Sequence, residues 1–318
     1  MKKSEKNSCP HKTSIGGQAV IEGVMMRGPE KIATAVRKSD GEIVVDIKKV
    51  NSFVAKHKLH KIPLLRGVLS FVESMVTGVR CLMFSADQFD LEDDENEQMS
   101  KFEKWLDDKL GDKIKDIAIY FSVVVALCFS VGLFMLLPTA IAGIFKLWVK
   151  TPVVLNLIEG IIKMLIFLIY LWAVSKMADI RRVFEYHGAE HKTIAAYEAG
   201  EELTPENAMK YTRLHPRCGT SFLLIVMVIS ILMFSLLTWD TLWIRIAYRL
   251  LLLPVVAGIS YEIIKLAGRY PNGIVGILTK PGLWLQKITT REPDLKQLEV
   301  AIAAMNSVIP ENKEDDKW

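Results

Sequence analysis

Long apolar segments separated by short polar ones dominate the middle of this chain. Residues 117–145 contain no charged side chain, and about 20 apolar residues are enough for a helix to cross a bilayer. We predict a first membrane-spanning helix over residues 117–137, which Pro138 ends. Three further spans are predicted over residues 153–175, 220–239 and 243–266.

Some of these predicted spans carry charges. Glu159 and Lys163 lie four residues apart in the second span, so they can pair on one helix face. Arg245 and Arg249 stand at the start of the fourth span. Because charged groups inside membranes usually serve a function, these side chains are candidates for an ion or proton path. A neutralising pair near the outer interface is the alternative interpretation.

Basic residues predict the orientation of the spans. The segment 176–219, between spans two and three, carries seven of them: Lys176, Arg181, Arg182, Lys192, Lys210, Arg213 and Arg217. Basic loops face the cytoplasm. The chain is therefore predicted to be a multi-pass membrane protein with segment 176–219 and both termini in the cytoplasm.

Alternating hydrophobicity predicts strands near the N-terminus. Residues 31–38 and 42–50 alternate around a turn at 39–41, which is typical of a β-hairpin. We expect a disordered start over 1–15 and a cytoplasmic portion over 16–61. The fold class predicted is mainly α: a four-span α-helical membrane protein with a small N-terminal cytoplasmic α+β portion containing a β-hairpin.

Residues 62–86 are apolar but carry a charge every seven positions, at Arg66, Glu73 and Arg80. Seven residues are close to two helical turns, so we predict an amphipathic helix at the membrane interface. A fifth span would bury all three charges. Residues 87–116 are predicted to form an acidic linker and a lead-in helix, and residues 267–318 a cytoplasmic C-terminal region.

Composition agrees with a protein that is part soluble and part embedded. Of the 318 residues 51% are hydrophobic, mean hydropathy is +0.25, and 40 basic against 36 acidic residues leave a net charge of +4. The lipid bilayer is thus the expected partner, and no basic stripe with interleaved aromatic residues predicts nucleic-acid binding. Four scattered cysteines fit a reducing compartment and not a disulfide scaffold.

The sequence His187-Gly188-Ala189-Glu190-His191 carries candidate chemistry. On a helix the two histidines lie one turn apart and can bind one zinc ion. The spacing His-x-x-Glu-His matches the inverted zinc-peptidase signature, in which the glutamate, here Glu190, is the general base. Glu198 lies seven residues beyond His191 and is a candidate further ligand or outer partner.

A second group follows at His215 and Cys218, both good zinc ligands. We expect this loop to return over the first group, which predicts a divalent metal site, with zinc the first candidate. Three protein ligands would make an open, catalytic type of site, and four a closed, structural one. Glu262 is a distant candidate ligand; the alternative is an interfacial carboxylate that pairs with Lys265 or Arg269.

Four sequence blocks carry a family resemblance. They are residues 16–27, 186–192, 215–221, and 289–293 followed by 297–301. Together they resemble the YqhQ-like family of bacterial membrane proteins, which is described as predicted metal-dependent enzymes of unknown substrate. The resemblance implies a bacterial, Gram-positive, inner-membrane protein.

Three functional hypotheses follow. The first is a membrane-anchored, cytoplasm-facing, metal-dependent enzyme, a zinc hydrolase with a lipid-linked or membrane-associated substrate. The second is a transporter or channel for ions or small solutes, for which four spans would have to assemble as a homo-oligomer. The third is a membrane scaffold with a structural metal site.

Overall fold

A computed structural model describes residues 11–50, 62, 64–88, 112–237, 241–269 and 280–317. Its described helices and strands, in chain order, are β1 (Gly16–Val20), β2 (Gly23–Arg27), β3 (Lys31–Arg37), β4 (Ile43–Lys49), α1 (Leu65–Gln88), α2 (Asp112–Val131), a π-helical turn (Gly132–Leu136), α3 (Leu137–Ile144), a 3₁₀ turn (Phe145–Leu147), α4 (Pro152–Val174), α5 (Ala178–Glu198), α6 (Pro205–Met209), α7 (Gly219–Ser235), α8 (Leu242–Arg269), α9 (Lys280–Thr289) and α10 (Leu295–Asn306).

The predicted α-helical class with an N-terminal β region is confirmed. The four strands form one antiparallel sheet in the order β1-β2-β3-β4. The predicted hairpin is β3–β4, which turns through Gly41 at a φ of +91°. A second hairpin, β1–β2, turns at Ile21 and Glu22 inside the glycine-rich segment, with Glu22 at a φ of +49°.

Both faces of the sheet are covered. One face packs on α10 and α5 in a buried cluster whose members include Val24, Met26, Tyr186, Leu298 and Met305. The other face packs on α1 through a smaller cluster of Val20, Met25, Val36 and Cys81. Because successive strand residues point to opposite faces, this double burial explains the apolar runs in β2 and β3.

Four described helices are long and apolar enough to cross a membrane, which indicates a membrane protein. These candidates are Leu65–Gln88, Val124–Leu147, Pro152–Val174 and Trp243–Leu266. The last two agree with predicted spans, whereas Leu65–Gln88 was predicted to be interfacial. The predicted span 220–239 corresponds to α7, a shorter apolar helix, and residues 238–240 lie outside the described residues.

The helix of the first predicted span does not end at Pro138. Pro138 stands in the first turn of α3, directly after the π-helical turn. Proline lacks an N–H and clashes with the preceding turn, and a π turn is one way for a helix to accommodate the irregularity. Helical structure therefore continues to Leu147.

Residues His11 to Ile15, expected within a disordered start, are ordered. Thr13 and Ile15 are buried. The Asp316 carboxylate accepts hydrogen bonds from Thr13 Oγ1 at 2.5 Å and from Tyr197 Oη at 3.0 Å. The reason is tertiary, since the C-terminal segment covers this stretch; residues 1–10 lie outside the described part.

The described residues fall into two compact units. One comprises Met1–Phe89, Leu171–Ile229 and Leu250–Trp318, and the other comprises Asp90–Tyr170 and Ser230–Arg249. The first unit contains the sheet, α5 and α10. The metal-ligand candidates His187, His191, His215 and Cys218 all belong to it.

Candidate metal centre

Helix α5 carries His187, Glu190 and His191 along its inner side. It begins after Met177, which has an extended backbone, and residues 188–194 in its middle are buried. The rings of His187 and His191 lie 4.5 Å apart between centroids. The predicted placement of the two histidines one helical turn apart is therefore present.

Backbone carbonyls hold both imidazoles. His187 Nδ1 lies 2.9 Å from the Thr289 carbonyl oxygen, and His191 Nδ1 lies 2.6 Å from that of Arg213. A carbonyl only accepts, so each Nδ1 carries a hydrogen, and in the neutral ring Nε2 is then the nitrogen with a free electron pair. Burial lowers the pKa of His191, which favours the neutral form that binds metals.

Cys218 completes a group of three donor atoms. Its Sγ lies 3.2 Å from His187 Nε2, and the ligand atoms of His187, His191 and Cys218 all lie within 4.8 Å of one another. Bonds of about 2.0–2.3 Å in a tetrahedral zinc site separate ligand atoms by about 3.3–3.8 Å. The group is therefore close to the dimensions of such a site.

The thiol stands at the N-terminus of α7. The N–H of Thr220 points at Cys218 Sγ from 3.5 Å, and Thr220 Oγ1 lies 3.3 Å away. The N–H and the hydroxyl of Thr220 thus position the sulfur at the start of the helix, facing the two histidines.

Glu190 lies beside this group and is 5% exposed. Burial raises the pKa of its carboxyl above the ordinary value, while His187, His215 and the Gly17 N–H act in the opposite direction. The Gly17 N–H donates to the carboxylate, so β1 positions it. Glu190 is thus a buried carboxylate next to three converging donor atoms.

His215 is a close neighbour of the group. Its ring centroid lies 5.5 Å from that of His191. Gln286 fixes its backbone, because the amide of Gln286 accepts from the His215 N–H and donates to the His215 carbonyl, both at 2.8 Å. Its Nε2 accepts from Arg217 Nη2 at 3.3 Å.

The two other candidate ligands have partners of their own. Glu198 accepts from the Thr13 N–H at 2.8 Å and from Arg217. Burial acts to raise the pKa of Glu198, but His215, Arg217 and the Thr13 N–H outweigh it, so the pKa is lowered. Glu262 accepts from Arg66 at 2.7 and 2.5 Å. A metal-binding role for either carboxylate stays a prediction.

An open cavity of about 520 Å³ adjoins the candidate centre. Its walls come from β1 and the residues before it, from α5, and from the loop that enters α7. Residues that line it include Gly16, Gly17, His187, Glu190, His215 and Cys218. The loop with His215 and Cys218 was predicted to fold back over His187 and His191, and residues of both groups line this one cavity.

The loop of residues 289–293 helps to fix the geometry of the site, and the sequence pattern did not predict this role. Residues 289–293 supply the Thr289 carbonyl to His187, and Glu292 bridges Lys192 at 3.0 Å and Arg213 at 3.3 Å. Gly188 packs so tightly on the Arg291 carbonyl that a Cβ there would collide with it. Backbone carbonyls have no residue-type signature, and the family blocks were the one signal for this loop.

Comparisons with known proteins place the chain in a family. The model of the family described as "Protein of unknown function (DUF1385)" matches residues 62–311. The "Uncharacterized protein YqhQ" of Bacillus subtilis (strain 168) is 37% identical over 307 residues, covering 93% of this chain and 92% of that protein. No solved structure matches. The chain belongs to the DUF1385 family, and the predicted resemblance is confirmed.

Proposed function

We propose that this member of the DUF1385 family is a membrane-anchored, metal-dependent hydrolase whose active site faces the cytoplasm of a bacterial cell. The observation that carries the proposal is the convergence of one ligand atom each from His187, His191 and Cys218 within 4.8 Å, beside buried Glu190. The inner membrane is the proposed location, with both termini cytoplasmic.

The donor atoms suit a divalent transition metal. Two neutral imidazoles and one thiolate are ligands that zinc accepts, and three protein ligands leave a coordination position open. A zinc ion bound there would lower the pKa of a coordinated water to about 7 and would polarise a substrate carbonyl. Zinc is therefore the first candidate, and an open site favours an enzyme over a scaffold with a closed metal site.

Glu190 is the proposed general base. Its carboxylate would take a proton from the attacking water and pass it to the leaving group. Burial raises the pKa of its carboxyl above the ordinary value, and a raised pKa makes a carboxylate a better proton acceptor. The Gly17 N–H would hold the carboxylate in place during both steps.

The substrate is proposed to be lipid-linked or otherwise membrane-associated. Only residues 175–177 separate α5 from α4, a candidate span, and Cys218 directly precedes the apolar helix α7. Both elements that supply donor atoms thus adjoin apolar helices. The cavity volume of about 520 Å³ is in the usual range of about 300–1,000 Å³ for ligand pockets.

Metal analysis of the full chain, purified in detergent, tests the site. We expect near-stoichiometric zinc or another transition metal by mass spectrometry, and its loss in the His187→Ala/His191→Ala double variant. His11→Ala is the matched control, since His11 pairs with Asp316 outside the group. Equal metal in the double variant and the control would refute the site.

The role of Glu190 as general base is tested by measuring the turnover of a panel of lipid-linked substrates and a panel of peptide substrates. Glu190→Gln should keep its metal and lose at least about 100-fold in kcat, because general-base catalysis contributes about 10²–10⁴-fold. Glu201→Gln, an exposed carboxylate in the same segment, is the control. Normal turnover by Glu190→Gln would remove Glu190 from the mechanism.

A further inference from the structure

Strand β1 lies at one edge of the four-stranded sheet. It pairs with β2 on one side, in a register that joins Gly16 to Arg27 and Val20 to Gly23. The backbone groups on its other side are available to another extended chain unless they are covered.

Hydrogen bonds identify the backbone groups that point away from β2. The N–H groups of Ile15 and Ile21 donate to Thr13 Oγ1 at 3.0 Å and to Ser85 Oγ at 3.3 Å. The Gly17 N–H donates to Glu190. None of these acceptors belongs to β2. In an antiparallel pair, successive residues direct their backbone N–H and carbonyl groups alternately towards the partner strand and away from it, so Ala19 also turns its N–H and carbonyl outward.

Part of this edge has no partner within the described chain. Among the described residues, neither the Gly17 carbonyl nor the Ala19 N–H forms a hydrogen bond outside the sheet. Gly16 and Gly17 are exposed and add no side chain that would block an approach. The cavity beside Glu190 and a second one of about 300 Å³ share Gly16, Gly17 and Gln18 in their walls.

We propose that the outer edge of β1 binds an extended polypeptide substrate as an added strand, beside the donor atoms of His187, His191 and Cys218. In a parallel arrangement one substrate residue donates its N–H to the Gly17 carbonyl and accepts from the Ala19 N–H. This inference rests on the proposed hydrolase function and names the substrate class.

The reaction at this edge is hydrolysis of a peptide bond. The water oxygen bonds to the substrate carbonyl carbon, and the carbon–nitrogen bond breaks. One water proton passes through Glu190 to the departing amine, and no other reactant is consumed.

The edge recognises a peptide backbone, not a phosphate headgroup. A headgroup site needs cations aimed at the ligand, and Arg217, a guanidinium in the cavity wall, is already bonded to Glu198 and His215. Alternating N–H and carbonyl groups instead match another strand. An N-terminal or C-terminal segment of a membrane protein, extended as it leaves the bilayer, fits this surface.

The test uses the full chain in lipid nanodiscs, with Glu190→Gln introduced so that bound peptides stay intact. A displayed library of random decapeptides is selected against it, and each binder is then synthesised with a single N-methyl group at each position in turn. Methylation at the residue that faces Gly17 and Ala19 should weaken binding by at least about tenfold, and at its two neighbours by less than about twofold.

The outcomes separate the strand site from the hydrolase. If methylation weakens binding at one residue but not at its two neighbours, and the wild type cleaves the same peptides, both strand addition and the hydrolase are supported. The same methylation pattern without cleavage supports strand addition and overturns the hydrolase. Cleavage with a uniform response to methylation overturns strand addition alone. A selection that yields no binder, or binders displaced by anionic lipid, also overturns strand addition.

Discussion

The group of His187, His191 and Cys218 differs from a second buried group, formed by Glu159, Arg245 and Arg249, in how donors and acceptors are matched. Glu159 accepts from Arg249 at 2.6 Å, from Thr139 at 2.7 Å and from Arg245. Its charge is thus compensated by side chains of the chain itself. In the histidine group, by contrast, three electron-pair donors face one another.

This difference teaches that burial of polar groups alone does not mark a functional site. A buried carboxylate with two guanidinium partners has its charge compensated by neighbouring side chains. Electron pairs that converge are unfavourable unless a cation or proton lies between them. The group around Glu159 is therefore compensated by its own side chains, whereas the group of His187, His191 and Cys218 is suited to bind a cation.

The largest effect should come from removing the compensated carboxylate. Glu159→Ala leaves Arg245 and Arg249 without their shared counter-charge, which is expected to lower the free energy of unfolding by about 3–5 kcal/mol. Denaturant unfolding of the detergent-purified protein measures this loss, while the metal content of the folded fraction should be unchanged.

Cys218→Ala is the counterpart that sharpens the comparison. It should abolish high-affinity metal binding but change the stability of the metal-free protein by less than about 1.5 kcal/mol, since one sulfur atom at a helix start is removed. If Cys218→Ala destabilised the metal-free protein as much as Glu159→Ala, the contrast between the two groups would be wrong.

A smaller effect is expected from Gly188→Ala. The new Cβ would collide with the Arg291 carbonyl and displace the segment that orients His187. Loss of such an outer contact typically lowers metal affinity about 10–100-fold, which a competitive zinc titration would detect.

Gly143→Ala is the matched control, because a Cβ at Gly143 meets nothing within 4 Å. Replacing a helical glycine by alanine in open space should raise stability by about 0.5–1 kcal/mol and leave metal affinity unchanged. Equal affinities in the two variants would show that the Arg291 contact does not support the site.

The smallest effect should come from Glu198→Gln. Glu198 bonds to Arg217 and the Thr13 N–H, so we expect its amide replacement to keep metal content and to change zinc affinity less than about threefold. Complete metal loss in this variant would instead make Glu198 a ligand and the site a four-ligand one.

Local spacing determined much of this protein. A helical repeat fixes that residues four apart share a face, so His187, Glu190 and His191 could be placed together from the sequence. Apolar length likewise predicted the spans over 153–175 and 243–266, and alternation predicted the hairpin β3–β4. These features depend only on neighbours along the chain.

Charge partners were decided by the tertiary structure. The charges of segment 62–86 argued for an interfacial helix, but Arg66 lies against Glu262, 196 positions away. Pro138 was expected to end a helix, and the preceding π turn lets it continue. Partners that lie this far apart along the chain cannot be identified from a short stretch of sequence, because only the packing of the folded chain brings them together.

For the candidate metal centre, too, the sequence and the tertiary structure determined different features. The sequence by itself determined which side chains have metal-binding chemistry, since imidazole, thiol and carboxylate groups are fixed by residue type. Only the tertiary structure decided that Cys218 meets His187, that the Thr289 and Arg213 carbonyls orient the rings, and that β1 borders the cavity. The physical reason is that these contacts join distant segments and backbone groups, which every residue has and no sequence motif records.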